Sequence, residues 1–287
     1  EQIEKVNELM ENINNLDANI KELAKYNTEN RLETAKTLAL YIKEKIDEYR
    51  KAGIMYNERE VLFGKPRTDW SRIAELDSEL SPYYNLWIGM DRWINSSKRW
   101  LEGDFSKLDG IEVDNTITEL TKNFNQALSR FKSEGVEDAI FDMCFKYKKM
   151  VDEFKPKGEL AVSLTRGLKD RHWDEIKKKT GIDCTPREGF TFQHIIDAGM
   201  IQHVEICCDV GEKAYREAKI EEQLHEIEKK WKDIFFVLTE HKLTKLPTIS
   251  NWNEVNKELD TDIMDVQQLD LSPFKGPFAD LISKWNK

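Results

Sequence analysis

The sequence predicts a mainly α-helical protein made of elongated helical bundles, with one small β-hairpin near residues 234–249. Charged residues make up 34% of the 287 residues, whereas only 13 are Gly and 7 are Pro, so turn formers are scarce. Apolar residues also recur at spacings of three and four along most of the chain, the period of an amphipathic helix. A hydrophobic fraction of 39%, with 8 Trp, is too high for a disordered chain.

The first helix is predicted over 3–26, where an apolar stripe has an almost heptad spacing. Residues 28–30 predict either a turn or a kink in one broken helix. The next helix carries buried-side positions such as Ile42 and Ile46, and it is predicted to end near Gly53.

A third helix is predicted from Thr68 and Asp69, which are suitable N-cap residues. Pro82 either opens a new helix or kinks a continuing one, and the sequence leaves both open. Asp114 is predicted to cap the following helix, which Gly135 ends. The heaviest apolar cluster, indicating a bundle centre or an interface, comprises Tyr84, Trp87, Ile88, Trp93, Ile94, Trp100 and Leu101.

The length favours two structural units, and the best candidate boundary is the segment 154–158. It contains Pro156, Lys157 and Gly158, which together predict a break and a candidate hinge. The predicted domains are therefore a helical stem or neck over 1–155 and a second region over 160–287.

The second region is predicted to begin with a single helix over 160–179 that stops at Gly181. A further helix starts at Thr191, and a longer one runs over about 201–231. Two short β-favouring runs, 234–239 and 245–249, then predict the hairpin, because the helical spacing of apolar residues ends there. Helices are predicted again over about 251–259 and from Asp260 towards the end.

The net charge is -10, so the surface field repels polyanions and no segregated basic block offsets it. We therefore expect no nucleic-acid partner. We also expect no membrane partner, because no run approaches ~18 consecutive apolar residues. Four cysteines are few for this length and predict free thiols in a reducing compartment such as the cytoplasm. They are Cys144, Cys184, Cys207 and Cys208.

No motif for nucleotide or metal chemistry is complete. Gly64-Lys65 is followed by Pro66 and lacks the upstream glycine of a P-loop, so an ATP site in this chain is not expected. His203 and Cys207 are one helical turn apart, and Cys208 and His194 are the further candidate ligands. Cys208 points about 100° away on an ideal helix, so the prediction is buried thiols and no metal site.

Catalytic arrangements are equally weak. Carboxylate pairs such as Glu221-Glu222 and Asp260-Asp262 are expected on solvated helix faces in a chain with 54 acidic residues. Pairing of Cys184 with His172 or His194 as a nucleophile and base is selected by no local signature. The prediction is therefore no catalytic residues and no bound cofactor.

The triplet Arg171-His172-Trp173 has two interpretations. Either Trp173 anchors a core with Arg171 and His172 at its border, or the three residues form a docking surface, where Arg and Trp are over-represented.

An ordered set of motifs in the second region resembles dynein heavy chains, specifically their second N-terminal region. It begins with Leu-Lys-Asp-Arg-His-Trp-Asp-Glu-Ile at 168–176 and Thr-Gly at 180–181, followed by Phe-Thr-Phe at 190–192. It continues with Ala-Lys-Ile-Glu-Glu-Gln-Leu at 218–224 and Ile-Glu-Lys-Lys-Trp at 227–231, where the family has a similar spacing of Ala, Glu and Leu. It ends with Ser-Pro-Phe at 272–274, Gly-Pro-Phe at 276–278 and Trp285. Residues 1–155 are similar to the helical stem that precedes this region, through the Trp-rich segment 86–109.

The resemblance implies a non-catalytic mechanical segment: the neck and the first part of the linker, a helical lever lying across the AAA+ ring. It implies that ATP and Mg belong to that ring, downstream of this segment, in a parent chain that is an ATP-driven microtubule motor. The implied partners are the AAA+ ring of the same heavy chain and other dynein heavy, intermediate or light chains. The implied location is the cytoplasmic cytoskeleton, including the axoneme of a cilium. The alternative interpretation is a helical scaffold or tethering protein that binds partner helices through its aromatic faces.

Overall fold

The computed structural model describes residues 2–136 and 138–286. Glu1 and Lys287, the outer ends of the predicted domains, lie outside the described residues, as does Glu137. The helices of the described residues are α1 Gln2–Leu23, α2 Leu32–Leu62, α3 Ser71–Glu102, α4 Gly110–Ser133, α5 Ala139–Leu164, α6 Asp170–Thr180, α7 Phe192–Asp197, α8 Val204–Lys232, α9 Trp252–Asp270 and α10 Ala279–Trp285. The strands β1 Leu238–Glu240 and β2 Pro247–Ile249 form one antiparallel pair. The predicted fold class, mainly helical with a small hairpin near 234–249, is confirmed.

The chain divides into two compact units. The first unit comprises Glu1–Ala161 and Glu188–Ile196, and the second comprises Val162–Arg187 and Asp197–Lys287. The division falls at 161–162, inside α5, whereas the sequence placed it at 154–158.

The first unit is a bundle in which α2 packs against α1 and α3, and α3 also packs against α4. The stripe predicted for α1 is its buried side, with Leu9, Ile13, Leu16, Ile20 and Leu23 all in the core. Because these positions are separated by three and four residues, they lie on one face of the helix.

Large aromatic side chains fill the centre of this bundle. Trp87, Phe124 and Phe131 are fully buried, and the ring of Trp93 packs edge-on against Phe154 at 5.3 Å between centroids. Gly89 allows the close approach of α3 and α4, since a Cβ there would lie 2.9 Å from Cζ of Phe124. The three tryptophans of the predicted cluster, Trp87, Trp93 and Trp100, are therefore buried in this bundle, whereas its other members are half-buried or, for Ile94, exposed.

Several predicted helix ends in the first unit were wrong. α2 continues through Gly53 to Leu62, because that glycine lies against the indole of Trp70 and is not a helix end. α3 runs continuously through Pro82, which settles the alternatives left open at that residue. α4 is capped by Asp109, not Asp114: the Asp109 carboxylate accepts from the backbone N–H groups of Ile111 and Glu112.

The single helix predicted over 160–179 is wrong in the opposite way, since the structure has a break within it. Residues 160–164 end α5, and α6 begins only at Asp170, because Gly167 takes a left-handed conformation (φ 75°) between them. The predicted stop at Gly181 is confirmed, with φ 76° at that residue. The two helices predicted over 251–259 and beyond Asp260 are one helix, α9.

The second unit contains two packing regions along α8. Its N-terminal half contacts α6, and its C-terminal half shares an apolar core with α9 and α10. That core consists of Ile220, Leu224, Ile227, Val266, Leu269 and Ile282. α8 has 29 residues, which at 1.5 Å per residue gives a helix of about 44 Å.

Candidate functional site

α6 is an amphipathic helix whose inner face carries His172, Trp173 and Ile176, all buried. Its N-terminus is fixed by a hydrogen bond from the backbone N–H of Lys169 to Nδ1 of His172, at 3.0 Å. Because Nδ1 accepts this bond, the ring proton of a neutral His172 lies on Nε2. The ring is therefore oriented to donate from Nε2 towards α8.

The acceptor on α8 is the buried carboxylate of Glu217, whose side chain is only 2% exposed. Its Oε2 atom lies 2.9 Å from Nε2 of His172 and 3.0 Å from Nε of Arg171, and Nη2 of Arg171 also donates to it. One oxygen thus accepts from two residues of α6, and the negative charge of Glu217 is balanced by the Arg171 guanidinium. This network is the α6–α8 junction.

Three further ion pairs border the α6–α8 junction. Lys169 Nζ contacts Glu221 at 2.6 Å, Lys213 Nζ contacts Glu175 at 2.8 Å, and Arg166 Nη1 contacts Glu212 at 2.9 Å. Hydrogen bonds from Lys213 and Lys179 lower the pKa of Glu175 to about 2. These pairs are partly solvated, so each contributes less than the buried one.

The structure separates the members of the predicted docking triplet. His172 and Trp173 are buried within the second unit, while the Arg171 side chain is 41% exposed and paired with Glu217. A partner at this place would therefore contact Arg171 and its neighbours, and the docking surface stays a prediction.

The candidate hinge residues Pro156, Lys157 and Gly158 all lie inside α5, where the sequence predicted a break. Pro156 is exposed and has no N–H for the helical hydrogen bond, whereas Gly158 is buried. A Cβ on Gly158 would lie 2.7 Å from Cδ1 of Ile117, so the glycine serves helix packing. Whether these residues act as a hinge stays a prediction.

The cysteines are free thiols: Cys144, Cys184 and Cys207 are buried, and Cys208 is half-buried and accepts from the Ser163 hydroxyl at 3.1 Å. Burial raises the pKa of Cys144 and of Cys207 to about 12, which opposes a reactive thiolate at neutral pH. Within 2–136 and 138–286, no group of three or more His, Cys, Asp or Glu side chains is placed to hold a metal ion.

The carboxylates named from the sequence have structural contacts. Glu221 and Glu222 are exposed and paired with Lys169 and Lys219. Asp262 is buried and accepts from Nε1 of Trp231 at 2.7 Å and from Lys230 at 2.5 Å. The long helices of the described residues include none with an apolar stretch sufficient to span a bilayer.

Sequence reasoning missed Glu217, the central residue of the α6–α8 junction. A signal was present, since Glu217 is three residues after Ala214 and three before Ile220, both on the buried side of α8. A carboxylate in an apolar row predicts a buried charge that requires a cationic partner.

This architecture defines a helical protein segment in which packed helices are joined by a buried ion pair. The chain belongs to a dynein heavy chain family: residues 73–287 match the family model described as dynein heavy chain, N-terminal region 2. The predicted resemblance is thus confirmed, and the match begins at Ile73, inside the region predicted as the stem.

Curated relatives are also dynein heavy chains. Dynein axonemal heavy chain 1 of Rattus norvegicus is 27% identical over 246 residues, which are 85% of this chain and 5% of the relative. Dynein axonemal heavy chain 12 of Homo sapiens is 25% identical over 248 residues, 85% of this chain and 8% of the relative. The dynein gamma chain of the flagellar outer arm of Chlamydomonas reinhardtii is 25% identical over 239 residues, 80% and 5% respectively. The chain thus spans less than a tenth of the length of these relatives.

Proposed function

We propose that this chain is the neck and the first part of the linker lever of a dynein heavy chain, and that it transmits movement and has no catalytic role itself. Residues 1–155 form the neck and residues 160–287 the first part of the linker. The lever carries ATP-driven conformational change from the AAA+ ring of the parent chain to the tail during microtubule-based movement.

The observation that carries the proposal is the two-part packing of α8. At its middle the helix is bound to α6 through the buried Glu217, and its C-terminal half shares an apolar core with α9 and α10. A long helix fixed at both places transmits displacement, because close-packed helices deform little. The buried ion pair also fixes the relative orientation of α6 and α8, since its hydrogen bonds are satisfied in only one arrangement of the two helices.

The proposal also assigns the surroundings of the segment. ATP and Mg bind in the AAA+ ring of the parent chain, and no cofactor binds in this segment. Its partners are that ring and the other heavy, intermediate or light chains of a dynein complex. The names of the relatives favour an axonemal, cytoskeletal location.

The candidate hinge belongs to the same proposal. Pro156 interrupts the hydrogen-bond ladder of α5, so the helix bends there more readily than elsewhere. Replacing Pro156 by Ala in the parent heavy chain should narrow the distribution of neck angles in electron micrographs. An unchanged distribution would remove the hinge from the proposal.

The lever itself is tested by replacing Glu217 with Gln in the parent heavy chain. Gln keeps the volume but presents an N–H group to a donor-rich site, which weakens the α6–α8 junction. We expect slower microtubule gliding while ATP hydrolysis is retained. The AAA+ ring still changes conformation, but the weakened junction transmits less of that change through the lever.

The matched control is Glu221→Gln, one turn further along α8 at an exposed ion pair. It should leave both gliding and hydrolysis unchanged. Equal gliding in the two variants, with the Glu217→Gln chain folded by circular dichroism, would contradict the lever and favour the scaffold alternative.

A further inference from the structure

Three of the 7 prolines of this chain follow a Ser or a Thr, the dipeptide that proline-directed protein kinases accept. These dipeptides are Ser81-Pro82, Thr185-Pro186 and Ser272-Pro273. The dipeptides alone do not distinguish the three sites, since each has a hydroxyl group followed at once by proline. The fold places them in three different backbone settings, and these settings differ in how well they present the hydroxyl to a kinase.

Two of the dipeptides lie in closed structure. Ser81 and Pro82 are inside α3, where the backbone is helical. Ser272 is half-buried in the turn after α9, where its Oγ accepts from the backbone N–H of Phe274 at 3.3 Å and its carbonyl oxygen accepts from the N–H of Lys275. A kinase must bring the acceptor hydroxyl in line with the γ-phosphate of ATP and beside its catalytic aspartate. Helical or hydrogen-bonded turn backbone opposes that approach.

Thr185 differs from both serines in its exposure and in its backbone. It lies between α6 and α7 in the segment 182–187, which is neither helix nor strand, and residues 185–187 are all exposed. The proline that follows also disfavours helical backbone at Thr185. We call residues 181–187 the Thr185 loop. This loop presents its hydroxyl in an open segment, the setting in which loops commonly carry function.

The Thr185 hydroxyl has a partner that a phosphate would disturb. Its O–H donates to Oδ1 of Asp183 at 2.9 Å, and the backbone N–H of Thr185 donates to the same oxygen at 3.2 Å. The other carboxylate oxygen of Asp183 accepts from Nζ of Lys177, in α6, at 2.7 Å. The hydrogen bonds from Lys177 and Thr185 lower the pKa of Asp183 to about 2, so this carboxylate is charged at neutral pH. Asp183 therefore links the Thr185 loop to α6.

We propose that Thr185 is a phosphorylation site for a proline-directed Ser/Thr kinase and that its phosphate breaks the link through Asp183. In the reaction a bond forms between Oγ1 of Thr185 and the γ-phosphorus of ATP. The bond from that phosphorus to the β–γ bridging oxygen breaks, and ADP leaves with its electron pair. The hydroxyl proton goes to the catalytic aspartate of the kinase. The product lacks the O–H group that donated to Asp183.

The phosphate also changes the charge beside Asp183. It carries about two negative charges at neutral pH, on an atom that lies one hydrogen bond from the carboxylate. Two like charges about 4 Å apart in water repel enough to shift an equilibrium roughly fivefold. Lys177 can then pair with the phosphate in place of Asp183. The carboxylate consequently leaves the backbone N–H of Thr185, and the Thr185 loop opens.

The first test is whether the folded chain presents Thr185 to a kinase. The full chain is incubated with ATP and an active mitogen-activated protein kinase, and the modified residues are mapped by mass spectrometry. We expect Thr185 to carry most of the phosphate. Thr185→Ala should abolish that incorporation, whereas Ser272→Ala, the matched control, should leave it unchanged.

Three synthetic peptides, each containing one of the dipeptides, provide the reference. All three should be phosphorylated, because a short peptide lacks the tertiary contacts that close the two serine sites. The preference for Thr185 is then a property of the fold and not of the kinase.

The second test measures the Thr185 loop itself. Hydrogen exchange of the peptide 181–187 should become about fivefold faster after phosphorylation, because the N–H of Thr185 loses its acceptor. Asp183→Asn is the matched control. It removes the negative charge that the phosphate repels, so phosphorylation of this variant should change the exchange rate much less.

Phosphate on Ser81 or Ser272 in place of Thr185 in the folded chain would overturn the site. A Thr185 peptide that the kinase leaves unmodified, or a Thr185 that is modified only in the peptide, would overturn it as well. Unchanged exchange of 181–187 after phosphorylation would overturn the opening of the loop. Neither test depends on microtubule gliding, so both are independent of the proposed lever.

Discussion

The two units of this chain hold their helices together by different means. In the first unit, fully buried aromatic rings such as Phe124 and Trp87 fill the space between helices. In the second, α6 is bound to α8 through a buried carboxylate, and a smaller apolar core lies further along α8. Apolar packing is non-directional and insensitive to pH, whereas an ion pair fixes one arrangement and depends on protonation. The α6–α8 junction therefore depends on one charged contact, whereas the aromatic core of the first unit does not.

The largest effect is expected from Phe124→Ala, which tests the aromatic core of the first unit. Phe124 is fully buried, so the change leaves a cavity and should lower the free energy of unfolding by about 3–5 kcal/mol. Urea denaturation measures the loss, and hydrogen exchange should place it in 2–161. The control is Phe145→Ala on α5, where the ring is 53% exposed and a much smaller change is expected. Equal losses would contradict a core centred on Phe124.

The next largest effect is expected at the α6–α8 junction. Glu217→Ala removes the carboxylate and leaves Arg171 and the buried His172 without their acceptor, which should cost about 3 kcal/mol. The exposed pair of the neighbouring Glu221 gives the control, since Glu221→Ala should cost about 0–1 kcal/mol. Differential exchange of α6 peptides distinguishes the two variants. A Glu217→Ala protein as stable as Glu221→Ala would mean that the buried ion pair is not the main interaction between α6 and α8.

Much of this contrast was predictable from sequence, but unevenly. The helices, the hairpin and the aromatic centre follow from apolar spacing, because burial of one helix face leaves that periodic signal. The cap at Asp114 was wrong for a local reason, since α4 begins earlier and the Asp109 carboxylate accepts from its first N–H groups. The helix end at Gly53 was wrong for a tertiary reason. Gly53 lies inside α2 and leaves room for the indole of Trp70, because a Cβ there would lie 3.0 Å from Cγ of that ring. The local sequence around Gly53 does not reveal this contact.

The candidate site was predicted only in part. The triplet Arg171-His172-Trp173 was singled out by its rarity, but its partner Glu217 lies 46 residues after Arg171. In a chain with 54 acidic residues, composition alone does not select one carboxylate. Only the fold, by placing α6 beside α8, shows that Glu217 is the acid buried against Arg171.

A close backbone contact in the second unit is tested by a third substitution. A Cβ at Gly211 of α8 would lie 2.5 Å from the carbonyl oxygen of Ser163, an atom of the backbone that cannot rotate away. Gly211→Ala should therefore destabilise the second unit by about 2 kcal/mol, despite the better helix propensity of Ala. Gly276→Ala is the control, because nothing lies within 4 Å of a Cβ there. Thermal unfolding monitored by circular dichroism compares the two, and a Gly211→Ala protein of unchanged stability would contradict this close approach.

The smallest effect concerns the pH dependence of one ion pair that borders the α6–α8 junction. Lys213 and Lys179 lower the folded-state pKa of Glu175 to about 2, well below its ordinary value of 4.5. Because the pKa is lower in the folded state, the stabilisation is fully present above about pH 4.5 and is lost as the pH falls towards 2. The pair is partly solvated, so we expect a loss of about 1 kcal/mol between pH 5 and pH 3. Glu175→Gln should abolish that part of the decrease, and urea denaturation at the two pH values measures it. Hydrogen exchange at pH 3 should differ between the wild type and Glu175→Gln in α6 and α8, while peptides around Phe124 should exchange equally in the two proteins. Equal decreases in the free energy of unfolding of the wild type and of Glu175→Gln would show that this carboxylate does not stabilise the α6–α8 junction.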